Sequence, residues 1–368
     1  MKKRLLLALL ALVLALPSVG APAAAQELPE LTLFLGFIPN VQFAPLYMAL
    51  EKGYFAEAGV NVVLEYGEEN IGVERIAAGE LQFGIVSGEQ VILARAGGRP
   101  LVYVFEWYQR FPVAIAAPVD SGIETAADLA GRTLGFPGRF GASYTGLLAF
   151  LATNGLSEDD VRLEAIGFNA VPMLCAGRVD AAVIYVANEP EQLREECTEV
   201  NVMEIWPVAD LVANGLVTNE ETIATNPELV RGMVSALSRG LANVIADPDE
   251  AMHVSRRHVE TLPQGGSRVE VSIAAAEVLR TLRAAAAGET AITPETADAL
   301  AQTLAAPLNL DEVVQMRVLR NSIALWDAPR LGVTDPASWE TTMEALIRAG
   351  LLDGPVDLTG AYTNEFLP

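Results

Sequence analysis

Aromatic rings and side-chain amides are the groups with chemical potential in this chain, and they gather in a few short loops. The stretch Phe37-Ile38-Pro39-Asn40-Val41-Gln42-Phe43 carries Asn40, Gln42 and Phe43. Ser87-Gly88-Glu89 and Trp107-Tyr108 follow two apolar runs. Phe140-Gly141-Ala142-Ser143-Tyr144 follows a third, and Tyr185 to Pro190, with Asn188 and Glu189, ends a fourth. Phe43, Trp107, Tyr108, Phe140 and Tyr144 could sandwich a planar ring, each stacking contact contributing roughly 0.5–1.5 kcal/mol beyond area burial. Asn40, Gln42, Asn188 and Glu189 could read ring nitrogens, carbonyls or an amine. Backbone N–H groups at Ser87 to Glu89 and at Ala142 to Tyr144, each at a helix start, could bind a carbonyl or an anionic group. Plainer roles stand beside these: an aromatic next to a strand is usually core, and Ser87, Ser143 and Asn188 can serve as helix caps.

The elements that would position these loops follow from the periodicity. Strands are expected over 31–37, 60–66, 81–86, 101–105, 113–116, 133–136, 162–166 and 181–186, with helices over 44–52, 70–78, 89–96, 125–129, 143–154 and 171–176. Strands alternating with helices imply an α/β fold with mostly parallel sheets. In such sheets ligands bind beyond the carboxyl ends of the strands, which is where the loops above fall. Phe111–Ile115 and Asn214–Thr218 are each a short strand leading into a polar turn, and they read as paired hinge strands. The expected division is lobe one over 28–112, lobe two over 113–215, and a return to lobe one with a helical C-terminal region over 216–368.

Residues 1–25 have the pattern of a cleavable secretory signal. Lys2, Lys3 and Arg4 precede an apolar run, Leu5 to Leu16, and Ala23-Ala24-Ala25 supplies small residues before Gln26. The run is short of the roughly 20 residues that a spanning helix needs. Removing 25 residues from 368 leaves 343, more than one typical domain. With 24 basic and 47 acidic residues the chain carries −23, or −26 without the three N-terminal cations. That charge argues against nucleic acid or an anionic lipid surface as partner. Cys175 and Cys197 are the only cysteines; in an oxidising compartment they form either a disulfide or two buried thiols, and spacing alone leaves both open. His253 and His258, five apart, do not share a helix face as metal ligands would, so no metal site is expected. No Ser-His-Asp set can be assembled near the expected cleft, and no Walker motif or Rossmann glycine pattern is present.

Several segments resemble a known group. Phe37-Ile38-Pro39-Asn40, Tyr47 to Phe55 (YMALEKGYF) and Gly59-Val60 are similar to the opening of type II periplasmic binding proteins, closest to those resembling thiamine-pyrimidine-precursor synthases. Ala78 to Gly84 (AGELQFG), Cys175 to Ala181 and the ending Thr363-Asn364-Glu365-Phe366 extend the likeness over nearly all of the mature chain. Ser87 to Gln90, Trp107 to Gln109, Phe140 to Tyr144 and Tyr185 to Pro190 look most like riboflavin-uptake receptors, with pyrimidine-precursor receptors second. The resemblance implies a two-lobed, non-enzymatic receptor, monomeric and free of cofactors. It would capture a heterocycle by hinge closure and deliver it to an ABC permease with a cytoplasmic ATPase. Asn40, Trp107, Tyr144, Asn188 and Glu189 would line its cleft, beside Tyr185 on the last strand. The alternatives it leaves are a sulfonate- or nitrate-type anion receptor, a sensory binding protein, or an enzyme like the fungal synthases, which need a cysteine-rich motif and iron. Only Arg110 and Arg139 lie near the expected cleft, so aromatics outweigh cations and a heterocycle is favoured over an oxyanion.

Overall fold

Apolar, β-branched runs that alternate with amphipathic stretches fold into two five-stranded sheets flanked by helices. The structure, a computed structural model, describes residues 28–262 and 310–368 together with positions 281 and 293. The expected signal segment lies outside the described residues. The first sheet contains β1 (Glu30–Leu35), β2 (Asn61–Tyr66), β3 (Phe83–Ser87), β4 (Leu101–Glu106) and β10 (Asn214–Asn219), in the order β2-β1-β3-β10-β4. The second contains β5 (Val113–Pro118), β6 (Thr133–Phe136), β7 (Arg162–Ala165), β8 (Ala181–Tyr185) and β9 (Val200–Glu204), in the order β7-β6-β8-β5-β9.

Each sheet repeats one plan. Four strands run the same way, and a fifth, β10 or β5, is antiparallel to both of its neighbours. That fifth strand is the one entering from the other sheet. The chain leaves the first sheet after β4, begins the second with β5, and comes back after β9 to insert β10 between β3 and β4. Four of the five strands in each sheet are thus parallel, as the periodicity leads one to expect, and the inserted fifth makes the sheets mixed.

β9 is an element the periodicity did not reveal. It is a half-buried edge strand, paired only with β5, and lacks the run of buried apolar residues that marks a central strand. A second correction concerns the C-terminus: after the helix Pro336–Arg348 the chain is irregular, not helical. Its backbone docks on β4 instead, with Tyr103 N–H donating to Ala361 O and Thr363 N–H donating to Tyr103 O. The sequence also carries a strong helix-forming run, Ala284 to Ala287, which lies outside the described residues.

The cysteines form a disulfide, which ties the helix Ala170–Cys175 to the end of the helix Glu189–Glu196. On the first sheet the long helix Pro227–Ala246 packs its apolar face against Ala44–Glu51. Gly240 permits that approach, because a Cβ there would sit 2.1 Å from the Pro45 carbonyl oxygen. Among the described residues no helix is long and apolar enough to cross a membrane.

Candidate functional site

The carboxyl ends of β1, β2 and β3 face those of β6, β7 and β8 across a cavity of about 860 Å³, part of it open to solvent. Of the residues singled out in the sequence, Gln42, Phe43, Trp107, Tyr108, Phe140, Ala142, Ser143, Tyr185 and Glu189 line this cavity. Asn40 and Asn188 line an adjoining one. Ser87, Gly88 and Glu89 are buried behind the wall. Tyr144 is turned away: its hydroxyl donates 3.0 Å to Glu158 Oε2 and accepts from Arg139 Nη1 at 2.8 Å.

Trp107 sits at the centre of the floor. It meets Phe43, Tyr108 and Trp326 at centroid distances of 6.0, 5.7 and 5.5 Å. Only 1 % of it is exposed, and its Nε1–H is buried with no hydrogen-bond partner among the described residues. Gln42 braces the floor, donating 3.3 Å to Tyr108 Oη and 3.4 Å to Ser322 Oγ. The facing walls are Phe37 and Tyr185, whose ring planes lie within 2° of parallel with centroids 6.5 Å apart. Phe168 closes one end, edge-on to Phe37 at 4.7 Å.

Phe37, Glu69, Phe168 and Asn214 are among the lining residues that were not singled out beforehand. Glu69 and Phe168 lie past β2 and β7, so the strand-end rule applies to them too. Glu69, however, reads in the sequence as an ordinary acidic residue opening a helix.

Glu69 joins the two halves of the cleft. It is the first residue of the helix Glu69–Ala77, on the first-sheet side. Its Oε1 accepts from Ser87 N–H and from Ser87 Oγ at 2.7 Å. Its Oε2 accepts 2.9 Å from Ala142 N–H, which belongs to the helix Gly141–Thr153 on the opposite side. The N–H groups in a helix's first turn have no intrahelical acceptor. Phe140, in the cap position, offers no side-chain bond, so the other lobe supplies the cap. Gly141 has φ +64°, and a Cβ there would lie 2.4 Å from Glu69 Oε2. Further cross-cleft bonds are Gln90 Nε2 to Thr145 Oγ1 at 3.2 Å and Tyr185 Oη to Asn214 Oδ1 at 3.1 Å.

Ser87 Oγ also contacts Glu89 Oε1. One hydroxyl has one proton, so it cannot donate to both carboxylates at once. Burial, and next the neighbouring Glu69 charge, push the Glu89 carboxyl up to about 8. A proton held by Glu89 then completes the chain: Glu89 donates to Ser87 Oγ, and Ser87 donates to Glu69. Burial raises Glu69 as well, against the opposing pull of the Ser87 and Ala142 donors. Burial likewise brings Glu189, whose Oε2 accepts 2.9 Å from Tyr185 N–H, up to about 7.

The sign of the pH dependence follows. Unfolded glutamate releases its proton near about 4.3, whereas folded Glu89 holds its proton to about 8. Across that window the folded chain binds more protons, so stability falls as pH rises. We expect thermal melts to show a lower Tm at pH 8 than at pH 5. Glu89→Gln should shrink that difference and raise the Tm at pH 8; Glu189 keeps part of the slope. An unchanged difference in the variant would show that Glu89 is not the proton holder.

The described lining of the cavity contains no Lys or Arg. Arg139 sits with Glu158 and Tyr144, and Arg110 donates 2.7 Å to Ala324 O beside the Trp206 ring. What the site can do is stack on a flat ring and accept or donate through Glu189 and Asn214.

The family described as NMT1/THI5 like matches residues 40–251. The riboflavin-binding protein RibY of Chloroflexus aurantiacus is 37 % identical over 356 residues, covering 95 % of this chain and 89 % of RibY. The 4-amino-5-hydroxymethyl-2-methylpyrimidine phosphate synthase of Legionella pneumophila is 26 % identical over 228 residues, 60 % of this chain and 71 % of that protein. The alkanesulfonate-binding protein SsuA of Xanthomonas axonopodis pv. citri, solved with bound MOPS, shares the fold at a TM-score of 0.62 and 17 % identity, covering 92 % of this chain and 99 % of that one. In sequence and architecture alike, the chain belongs to the NMT1/THI5-like family and has the periplasmic-binding-protein fold.

Proposed function

We propose that this chain is the extracytoplasmic solute-binding component of an ABC importer and that it captures a flat heterocycle, riboflavin first and a thiamine pyrimidine precursor second. The observation that carries the reading is the cavity itself: Phe37 and Tyr185 stand parallel across it, Trp107 floors it, and no cation is among its described lining residues. The likeness to RibY, a protein named for riboflavin, supports the same ligand. The segment 1–25 supports export. We place the hinge in the two connections between the sheets, 107–112 and 205–213, and assign 28–112 and the return after 216 to one lobe and 113–215 to the other.

Closure is a population shift. The ligand favours the closed form by as much as it binds that form more tightly, and the docked permease then reads the closed form. An oxyanion wants Arg forks or a dense set of N–H donors, and Arg139 and Arg110 already bond elsewhere. The synthase reading has less support: both cysteines are joined in the disulfide. Among the described residues, moreover, no group of three His, Cys, Asp or Glu is placed to hold a metal. Calorimetric titration tests the proposal. We expect one-to-one binding of riboflavin at roughly micromolar affinity or tighter, with no heat from taurine or nitrate. Binding of taurine or nitrate without riboflavin would replace this reading with the anion receptor.

A further inference from the structure

Next to the ring cavity lies a second chamber of about 750 Å³, part of it open to solvent. Phe37, Phe168, Ala170 and Glu189 line both, so the two spaces are separated only by side chains they share. The chemistry changes across that wall. Where the first space is walled by rings, the second presents neutral hydrogen-bonding groups: Asn40, Asn188, Gln192, Thr261 and Gln315. Its described lining includes no Lys or Arg, and its single ionisable group is Glu189.

Much of this hydrogen-bonding capacity is free. Asn40 Oδ1 accepts from Gln42 N–H at 2.9 Å, which leaves the Asn40 amide NH2 with no partner among the described residues. Gln192 Nε2 donates 2.7 Å to Asn188 Oδ1, which leaves the Gln192 carbonyl with no partner among the described residues. The structure gives the Thr261 hydroxyl and the Gln315 amide no hydrogen bond to a described residue. Free amide donors and acceptors in one wall suit hydroxyl groups, each of which both donates and accepts. They do not suit a phosphate, which needs compensating positive charge once it leaves water.

We propose that the second chamber is a subsite for a neutral, polyhydroxylated chain attached to the stacked ring, and that it makes the receptor select flavins by their tail and reject a phosphorylated one. This rests on the ring-cavity reading above, and the test separates the two. Three ligands sharing one ring are titrated into the full chain: riboflavin, lumiflavin, which has a methyl group in place of the polyol, and flavin mononucleotide, whose chain ends in phosphate. The expected result is that riboflavin binds roughly tenfold or more tightly than either of the others, as two or more added neutral hydrogen bonds would give.

The double variant Gln192→Ala/Gln315→Ala should lose roughly tenfold for riboflavin and keep its lumiflavin affinity, which also shows that it has folded. Equal binding of riboflavin and lumiflavin by the unsubstituted chain would overturn the subsite while leaving the ring cavity in place. Tightest binding of flavin mononucleotide would overturn the neutral-tail assignment. Binding of none of the three would remove the ring-cavity reading, and the subsite with it.

Discussion

Gly141→Ala should cost at least roughly tenfold in ligand affinity, because on the proposed closure mechanism it strikes a contact made across the cleft. The backbone there has φ +64°, a conformation that costs an L-residue roughly 1–2 kcal/mol. That cost applies whether the cleft is open or closed, and it will show as lost stability. The effect on affinity comes from a different atom. An alanine Cβ would lie 2.4 Å from Glu69 Oε2 and 3.2 Å from Glu69 Cβ, across the cleft. Closure would have to stop short, and the bond from Ala142 N–H to Glu69 would be lost. A hydrogen bond to a charged group contributes about 1.5–3 kcal/mol, which is roughly ten- to a hundredfold in affinity. Glu69→Ala removes the same bond from the other side. The two substitutions should therefore combine non-additively, since each destroys one shared interaction. Riboflavin affinities for the wild type, both single variants and the double variant give the coupling. Full additivity would mean that Glu69 does not latch the lobes.

Trp107→Ala has the largest expected effect on stability. The ring is 1 % exposed and packs against three other aromatic rings. Removing a buried tryptophan typically costs about 3–5 kcal/mol. At roughly 2–4 °C per kcal/mol for domains of this order of size, the Tm should drop by about 10 °C. Lost binding in this variant would thus be ambiguous, which makes Trp107→Phe the sharper probe. Phenylalanine keeps most of the packing and removes the Nε1–H, a buried donor with no hydrogen-bond partner among the described residues. We expect Trp107→Phe to melt within a few degrees of wild type and to bind roughly three- to tenfold more weakly, the worth of one hydrogen bond. Unchanged affinity with intact stability would show that the indole N–H does not reach the ligand.

The contrast between what the sequence revealed and what it concealed has a physical pattern. Central strands such as β3 and β8 are legible because burial on both faces demands continuous apolar runs, FGIVS and AAVIY. β9 escaped notice because an edge strand with half-buried residues carries no such constraint. Within the site, Trp107 and Tyr185 could be expected as lining because bulky aromatics follow or end strands. Tyr144 misled for the same reason: a ring in the right loop tells nothing of its direction, and its hydroxyl is held by Arg139 and Glu158. Glu69 was concealed more deeply. An acidic residue opening a helix is what the helix dipole favours anywhere. Its cross-cleft role depends on Gly141 and Ala142, more than 70 positions away, and no local pattern encodes that pairing. The disulfide was legible as a possibility only, because closing it needs the 5.6 Å Cα separation that folding supplies.

The pseudo-symmetric plan of the two sheets accounts for how a binding site arises from such scattered residues. Corresponding strand ends meet from opposite sides, so residues from six loops converge without any one loop being long. The lobes contribute unlike partners: a carboxylate and a phenyl ring from one, a helix N-terminus and a phenol from the other.

Trp107 lines the ring cavity and Trp326 packs against it, so titrating riboflavin into the purified chain while following tryptophan emission tests the account most directly. The account predicts saturable quenching at one flavin per chain, lost in Phe37→Ala and unaffected by excess taurine or nitrate. Emission that ignores riboflavin but responds to an alkanesulfonate would contradict it.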